Sequence, residues 1–222
     1  MITISPSVKS IFPQARFGAM IVSGVGQPAD RSIMDALIAD ELNQLKASYP
    51  DYERKNALAS DPLCHYAAYY KHFKKSYHVL GQLESILLRG KSIPPAGVPV
   101  EAMFLAELKS QLLSAGHDLD MIQGRLTADV ATEPLAYRSI SGKDQQLALN
   151  DLFLSDEAGV LSSIIGGPDY RTRIIDTTRN CLYFVYGVEG VTSQRVETHL
   201  ETLASYLSKA INGVQINSID IY

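Results

Sequence analysis

The sequence has no tryptophan and only two cysteines, Cys64 and Cys181, with no CxxC pair and no Cys/His spacing of the kind that holds zinc. A disulfide framework and a thiolate metal centre are therefore excluded as organising devices; no metal or other cofactor is expected, and a reducing cytoplasm is the expected compartment. Long hydrophobic runs are missing as well. Residues 19–25 are far too few to cross a bilayer, and residues 1–10 lack a basic start followed by an apolar core, so neither membrane insertion nor export is expected. Positive charge is scarce: the formal net charge is −4 and the isoelectric point is near 5.7. That balance argues against DNA or RNA binding through a bulk basic field, so any nucleic-acid contact has to use a local patch. There is no internal repeat, no low-complexity tract and no Gly-x-Ser-x-Gly elbow of a serine hydrolase.

What remains is an ordinary globular composition, 222 residues at 46% hydrophobic and 20% charged, enough to bury a sizeable core in one compact unit, with residues 95–120 as the place where it would divide. Residues 17–23 form an apolar, β-rich run closed by Gly24 and Gly26, which reads as a buried strand. Asp30 or Ser32 then caps a helix whose apolar positions are Ile33, Leu37, Ile38, Leu42 and Leu45, closed at Tyr49-Pro50. Asp61-Pro62 opens another, carrying Tyr66, Tyr69, Tyr70 and Phe73 largely on one face, where the rings are expected to be core. Val79, Leu83, Ile86 and Leu87 mark a third, ended by Gly90, and a fourth is expected from Pro99 to about Ser114. From Asp118 onward the period changes. Residues 125–130, 158–165, 172–175 and 181–186 read as strands, followed by a helix with Val196, Leu200, Leu203, Leu207 and Ile211 on its apolar face and a last strand at 214–221. Helices grouped in the first half and a mainly antiparallel or mixed sheet in the second predict an α+β fold.

Two segments carry chemistry. LSSIIGGPDYRTRI (161–174) reads as strand, turn, strand: Gly166 and Gly167 permit close backbone approach, Pro168 fixes the following φ, and Asp169, Arg171, Thr172 and Arg173 project from the turn or the next strand as a pocket rim. Upstream, GHDLDMIQGRL (116–126) sets two carboxylates, Asp118 and Asp120, beside His117. A solvated turn and helix caps account for the same residues. A local basic patch runs through Lys71, Lys74, Lys75, Arg89 and Lys91, opposed only by Glu84, with His72 and His78 interleaved; a solvated helix face accounts for it equally.

The order of these pieces, Val100-Glu101, then DLDMIQG (118–124), then Gly166-Gly167 and TRNCL (178–182), resembles the third and fourth domains of the bacterial phenylalanyl-tRNA synthetase beta subunit, the module that edits mischarged tRNA. The resemblance extends from about residue 69 to residue 210. It implies an α+β editing-type fold in a free-standing protein that hydrolyses the aminoacyl ester at the tRNA 3′ end in trans. No synthetase core is present, so aminoacylation is not implied. Carried over, it points to Asp118 and Asp120 as water-ordering or ammonium-binding groups, to His117 (grouped with them as catalytic) or Asp169 as filling a vacated pocket role from a neighbouring position, to backbone N–H groups of Gly166 and Gly167 as oxyanion donors, and to Arg171 and Arg173 as contacts to phosphate or carboxylate. The departures are specific: Ala115 stands where the family has its pocket histidine, His117 where it has phenylalanine, and Pro168 where it has the glutamate that recognises the tyrosine hydroxyl. A strong preference for Tyr-tRNA over Phe-tRNA is therefore not expected. Two other classes stay open: a non-catalytic RNA- or protein-binding module, and a binder or hydrolase of free amino-acid derivatives. The oligomeric state is not legible.

Overall fold

The computed structural model describes residues 2–222. In chain order the elements are β1 (Ile2–Ile4), α1 (Pro6–Ile11), β2 (Arg16–Ser23), α2 (Arg31–Ser48), α3 (Arg54–Ala59), α4 (Leu63–His72), α5 (His78–Arg89), α6 (Val98–Ser110), β3 (Leu113–Asp118), β4 (Leu126–Val130), β5 (Ala136–Arg138), β6 (Asp144–Gln146), β7 (Leu152–Asp156), β8 (Gly159–Ser163), β9 (Gly167–Pro168), β10 (Asn180–Gly187), α7 (Ser193–Ala210) and β11 (Gln215–Ile221). The fold is α+β. One sheet has the order β11-β2-β10-β3 and is antiparallel throughout; the second, β1-β4-β7-β8-β9, is mixed, because β1 runs parallel to β4; β5 and β6 form a separate hairpin.

β10 explains the first sheet. Its sequence NCLYFVYG is apolar without alternation, and the strand is buried on both faces between β2 and β3. The helices α6 and α7 pack on each other and reach β3 and β2, closing the core around Phe17, Met20, Tyr183, Phe184 and Leu200. α4 supplies buried Tyr66, Tyr69 and Tyr70, with Tyr66 stacked on Tyr77 at 4.5 Å between ring centroids. These rings are core, as their spacing predicts.

Several expectations need correction. Helices and strands are not segregated by half: β2, from the first half, sits inside the four-stranded sheet, and α7, from the second, packs on it. Periodicity reads local type and carries no information about which strands pair. The fourth helix stops at Ser110, not Ser114. Gln111 takes a left-handed conformation with φ 61°, its carbonyl accepts a hydrogen bond from Tyr77 Oη at 3.1 Å, and β3 starts two residues later. Residues 172–175 are not a strand but a turn end and irregular chain, because the Asp169 carboxylate accepts from the backbone N–H groups of Arg171 and Thr172 and curls the chain. Asp30 caps α2 as expected, with its side chain accepting from Ser32 and Ile33, but the buried stripe is Met34, Ile38 and Leu42, and Ile33 faces solvent. Asp61 does not cap α4; it pairs with Arg195 at 2.9 Å. β1, α1, β7 and the β5–β6 hairpin lie in segments where periodicity predicts no element.

Candidate functional site

An enclosed cavity of about 280 Å³ lies where the two sheets meet under α5 and α6. β3 contributes Leu113 to Gly116, the β8–β9 turn contributes Ser163, Ile164, Gly167 and Pro168, and α6 contributes Val100, Met103, Phe104 and Glu107. The walls are predominantly apolar, with a few polar groups between them, which is how small-ligand sites are built. Two glycines keep it open. Gly167 has φ 76°, a conformation that other residues adopt only with strain. A Cβ on Gly116 would come within 2.8 Å of Ile174 Cδ1 and 3.2 Å of Met103 Sδ, both from residues of the cavity wall. A second cavity of about 420 Å³ shares His78, Gln82 and Phe104 with the first and extends past Lys91 to Pro94.

The structure brings the two motif segments together, yet their residues divide into lining and support. Gly167 and Pro168 line the cavity, as do Ala115 and Gly116. Gly166 stands beside it: its N–H donates to Ser163 Oγ at 2.9 Å, so that group is already occupied. His117 lies behind the wall, fully buried. Its Nδ1 is 2.8 Å from Thr172 Oγ1, whose hydroxyl donates to Asp169, and its Nε2 is 3.0 Å from Ser162 Oγ. Since the Thr172 hydrogen goes to the carboxylate, Thr172 accepts from Nδ1–H, and Nε2 accepts from Ser162. The neutral ring is satisfied on both sides, and burial, with Arg171 nearby, pushes its pKa down to about 3. Asp118 is buried, accepting from Thr178 Oγ1 at 2.7 Å and from the Asp120 N–H at 3.1 Å; Asp120 is exposed and holds Asn180 Nδ2 at 3.0 Å. Arg171 is spread between Asp156 at 2.9 Å and the Met121 carbonyl at 2.7 Å. Arg173 lies over the ring of Tyr170, 3.5 Å from its centroid.

The polar groups that face the cavity are Glu107 and Gln82, which the sequence does not mark, and His78, which it marks only as part of the basic patch. Glu107 is buried in the last turn of α6; its Oε1 accepts from Ser114 N–H at 2.7 Å and from Ser114 Oγ at 3.0 Å, while Oε2 makes no hydrogen bond among the described residues. Desolvation pushes its pKa up to about 8, against the Ser114 hydrogen bonds. The helix C-terminus acts in the same direction, because its carbonyl dipoles disfavour an anion. His78 stands at the opening, exposed on one side and packed against Tyr70 and Tyr77 on the other. Tyr70 donates its hydroxyl hydrogen to the Ile164 carbonyl at 2.8 Å, so at 3.1 Å it accepts from His78 Nδ1–H, and Nε2 is left with its lone pair. Desolvation holds this histidine below its ordinary value, so it is neutral at pH 7. Gln82 lines both cavities, and its Oε1 is buried without a partner. A histidine or glutamate within an apolar helical stripe was the available signal; the cavity side of those helices was not legible.

Of the basic residues, Lys71 and Lys74 are exposed at the end of α4, and Lys75 reaches the Ile165 carbonyl at 3.4 Å, next to the glycine turn. Lys91 lines the outer cavity, and Arg89 donates to Ser85 Oγ at 2.7 Å. Arg173, marked in the sequence, is joined by Arg138, which is not: both lie over the Tyr170 ring. No group of three His, Cys, Asp or Glu side chains placed to hold a metal ion occurs among the described residues, and none of the described helices is long and apolar enough to cross a membrane.

Neither a family model nor a curated protein matches the sequence. Among solved structures, the chain is similar to an N-terminal fragment of the phenylalanyl-tRNA synthetase beta-subunit from Pyrococcus horikoshii, with a TM-score of 0.53 at 15% identity. The alignment covers 97% of this chain and 50% of that one, so this chain spans about half its length. At that identity the likeness is one of fold: the α+β arrangement of this chain is similar to that of a phenylalanyl-tRNA synthetase beta-subunit fragment.

Proposed function

We propose that the cavity between α6, β3 and the β8–β9 turn receives the aminoacyl group of a mischarged tRNA, and that the protein hydrolyses its ester in trans as a stand-alone editing module. The observation that carries this reading is the cavity itself: a small, mainly apolar enclosure lined by Val100 and Gly167, from two of the pieces that carry the resemblance to the editing module, and by Ala115 and Pro168, the positions at which the chain departs from that family's pocket. Its size suits one amino-acid side chain rather than a nucleotide. An aminoacyl ester is already activated, so hydrolysis needs a positioned water, a base to take its proton and donors for the developing oxyanion. His78 Nε2 supplies the base in this reading: neutral at pH 7, oriented by Tyr70 and placed at the opening where water enters. His117, Asp118 and Asp120, with Asp169 and Thr172, act by positioning the two wall segments. In this reading the tRNA end is held by Lys71, Lys74, Lys75, Arg89 and Lys91, and by Arg138 and Arg173 over the Tyr170 ring.

The test is deacylation of a panel of mischarged tRNAs. Hydrolysis of one pair, with His78→Gln lowering the rate by about 10²-fold and leaving tRNA affinity unchanged, is the expected outcome. RNA binding without turnover would make the protein a binding module. A second reading, a hydrolase or binder of free amino-acid derivatives, is favoured by the net charge of −4 and predicts turnover of simple esters with none of the tRNA-linked ones.

A further inference from the structure

The cavity contains acceptors without donors. Glu107 Oε2 and Gln82 Oε1 both belong to lining residues, and neither has a hydrogen-bonding partner among the described residues. Glu107 itself is 2% exposed and forms no ion pair; its hydrogen-bond donors are the N–H and hydroxyl of Ser114, both directed at Oε1. A buried carboxyl with one oxygen satisfied, one free and no cation beside it is held in its neutral form, and its free oxygen becomes an acceptor when a cation takes the place of the proton. The groups packed around it do not provide one: Tyr66 and Tyr70 of α4, Tyr77 ahead of α5 and Tyr186 of β10 all have their pKa values raised by burial and stay neutral, and His78 is held below its ordinary value. An aminoacyl ester carries a cation that fits, its α-ammonium group, with three donors for two waiting acceptors.

We propose that Glu107 is the ammonium anchor of the cavity, assisted by the Gln82 side-chain carbonyl, so that the site selects ligands with a free primary amine next to an apolar chain. This inference rests on the cavity assigned above. It gives to Glu107 the ammonium-binding role that the sequence suggested for Asp118 and Asp120, whose carboxylates are engaged with Thr178 and Asn180. It also fixes the proton balance. The free protein holds a neutral Glu107 at pH 7, and binding of R–NH₃⁺ expels the carboxyl proton to the buffer, leaving an ammonium–carboxylate pair.

The experiment uses 3-methylbutylamine and its neutral isostere 3-methyl-1-butanol, titrated calorimetrically into the intact protein at pH 7 in buffers of different ionisation enthalpy. An alkylamine stays charged up to about pH 10, as lysine does, so only the protein titrates between pH 6 and 8. The expected result is amine binding at least about tenfold tighter than the alcohol, release of close to one proton per amine bound, and amine affinity that climbs with pH until it levels above pH 8. Glu107→Gln removes the preference and the proton release while alcohol binding stays the same. The wild-type proton count decides the matter even if that variant folds poorly. Equal affinities, absence of binding by both probes, or amine binding with no proton released overturns the anchor. Amine binding in a protein that deacylates no tRNA leaves the anchor standing and removes the editing reading; deacylation indifferent to Glu107→Gln does the reverse.

Discussion

At the scale of single residues, burial and charge pull in opposite directions at two sites, and they leave opposite marks on stability. Glu107 is raised from 4.5 to about 8, so the folded state holds a proton that the unfolded chain gives up; its contribution is complete below pH 4.5 and is lost as pH rises through 8. His117 is lowered from 6.5 to about 3, so its contribution is complete above pH 6.5 and is lost as pH falls through 3. Between pH 6.5 and 8 the carboxyl acts alone of the two. Urea unfolding across that window is expected to show stability declining with pH by up to about 1.4 kcal/mol per unit, and Glu107→Gln is expected to flatten the slope. A slope that survives the substitution assigns the titration elsewhere. His117→Phe should cost about 2 kcal/mol, because Ser162 and Thr172 lose their common partner in a place without water; a neutral effect would show that the network relaxes around the ring.

At the scale of elements, legibility follows burial pattern. β10 was read from a continuous apolar run, and α7 from an apolar face at helical spacing, because each is packed by many neighbours and its sequence records that packing. β7 was missed although it is buried, since LFLSD is too short to separate from a loop without its partners β4 and β8. Residues 172–175 were misread as a strand because Thr, Ile and Ile favour strands, while the feature that decides their path is a carboxylate three residues upstream. The candidate site was half legible: its glycines and Pro168 mark the chain's bends, whereas Glu107 and His78 look like any polar residue on a helix until the opposite wall is in place. Gly116 tests the link between element and site. Gly116→Ala puts a methyl against the side-chain ends of Ile174 and Met103 and 3.3 Å from the buried Tyr183 ring, so stability should fall by about 1–3 kcal/mol as those chains shift. The shift fills the cavity, and 3-methylbutylamine affinity should fall at least about tenfold. Unaltered affinity would place the ligand elsewhere.

For the whole molecule, the net charge of −4 means that a tRNA bound as proposed has to be held by local groups against an unfavourable overall field. Filter-binding across 50–200 mM salt should show weak affinity that falls steeply. Replacing Lys71, Lys74 and Lys75 with alanine should weaken binding to all tRNAs alike without changing which ester is hydrolysed; unchanged affinity would move the contact to Arg138, Tyr170 and Arg173. The seam between the two sheets bears on timescale. Asp118 N–H donates to the Thr172 carbonyl at 2.6 Å, and His117 ties the same two segments through Thr172 and Ser162, so the floor of the cavity belongs to both sheets at once. Parting the sheets to admit a ligand would break all of these bonds together, whereas the stretch from Lys91 to Gly97, mostly exposed and without regular structure, has little to break. Amide hydrogen exchange should therefore sort the molecule into two clocks, with Asp118, Asp169 and Thr172 exchanging only on global unfolding and Ser92, Ile93 and Gly97 exchanging orders of magnitude sooner. Ligand entry would keep time with the second clock.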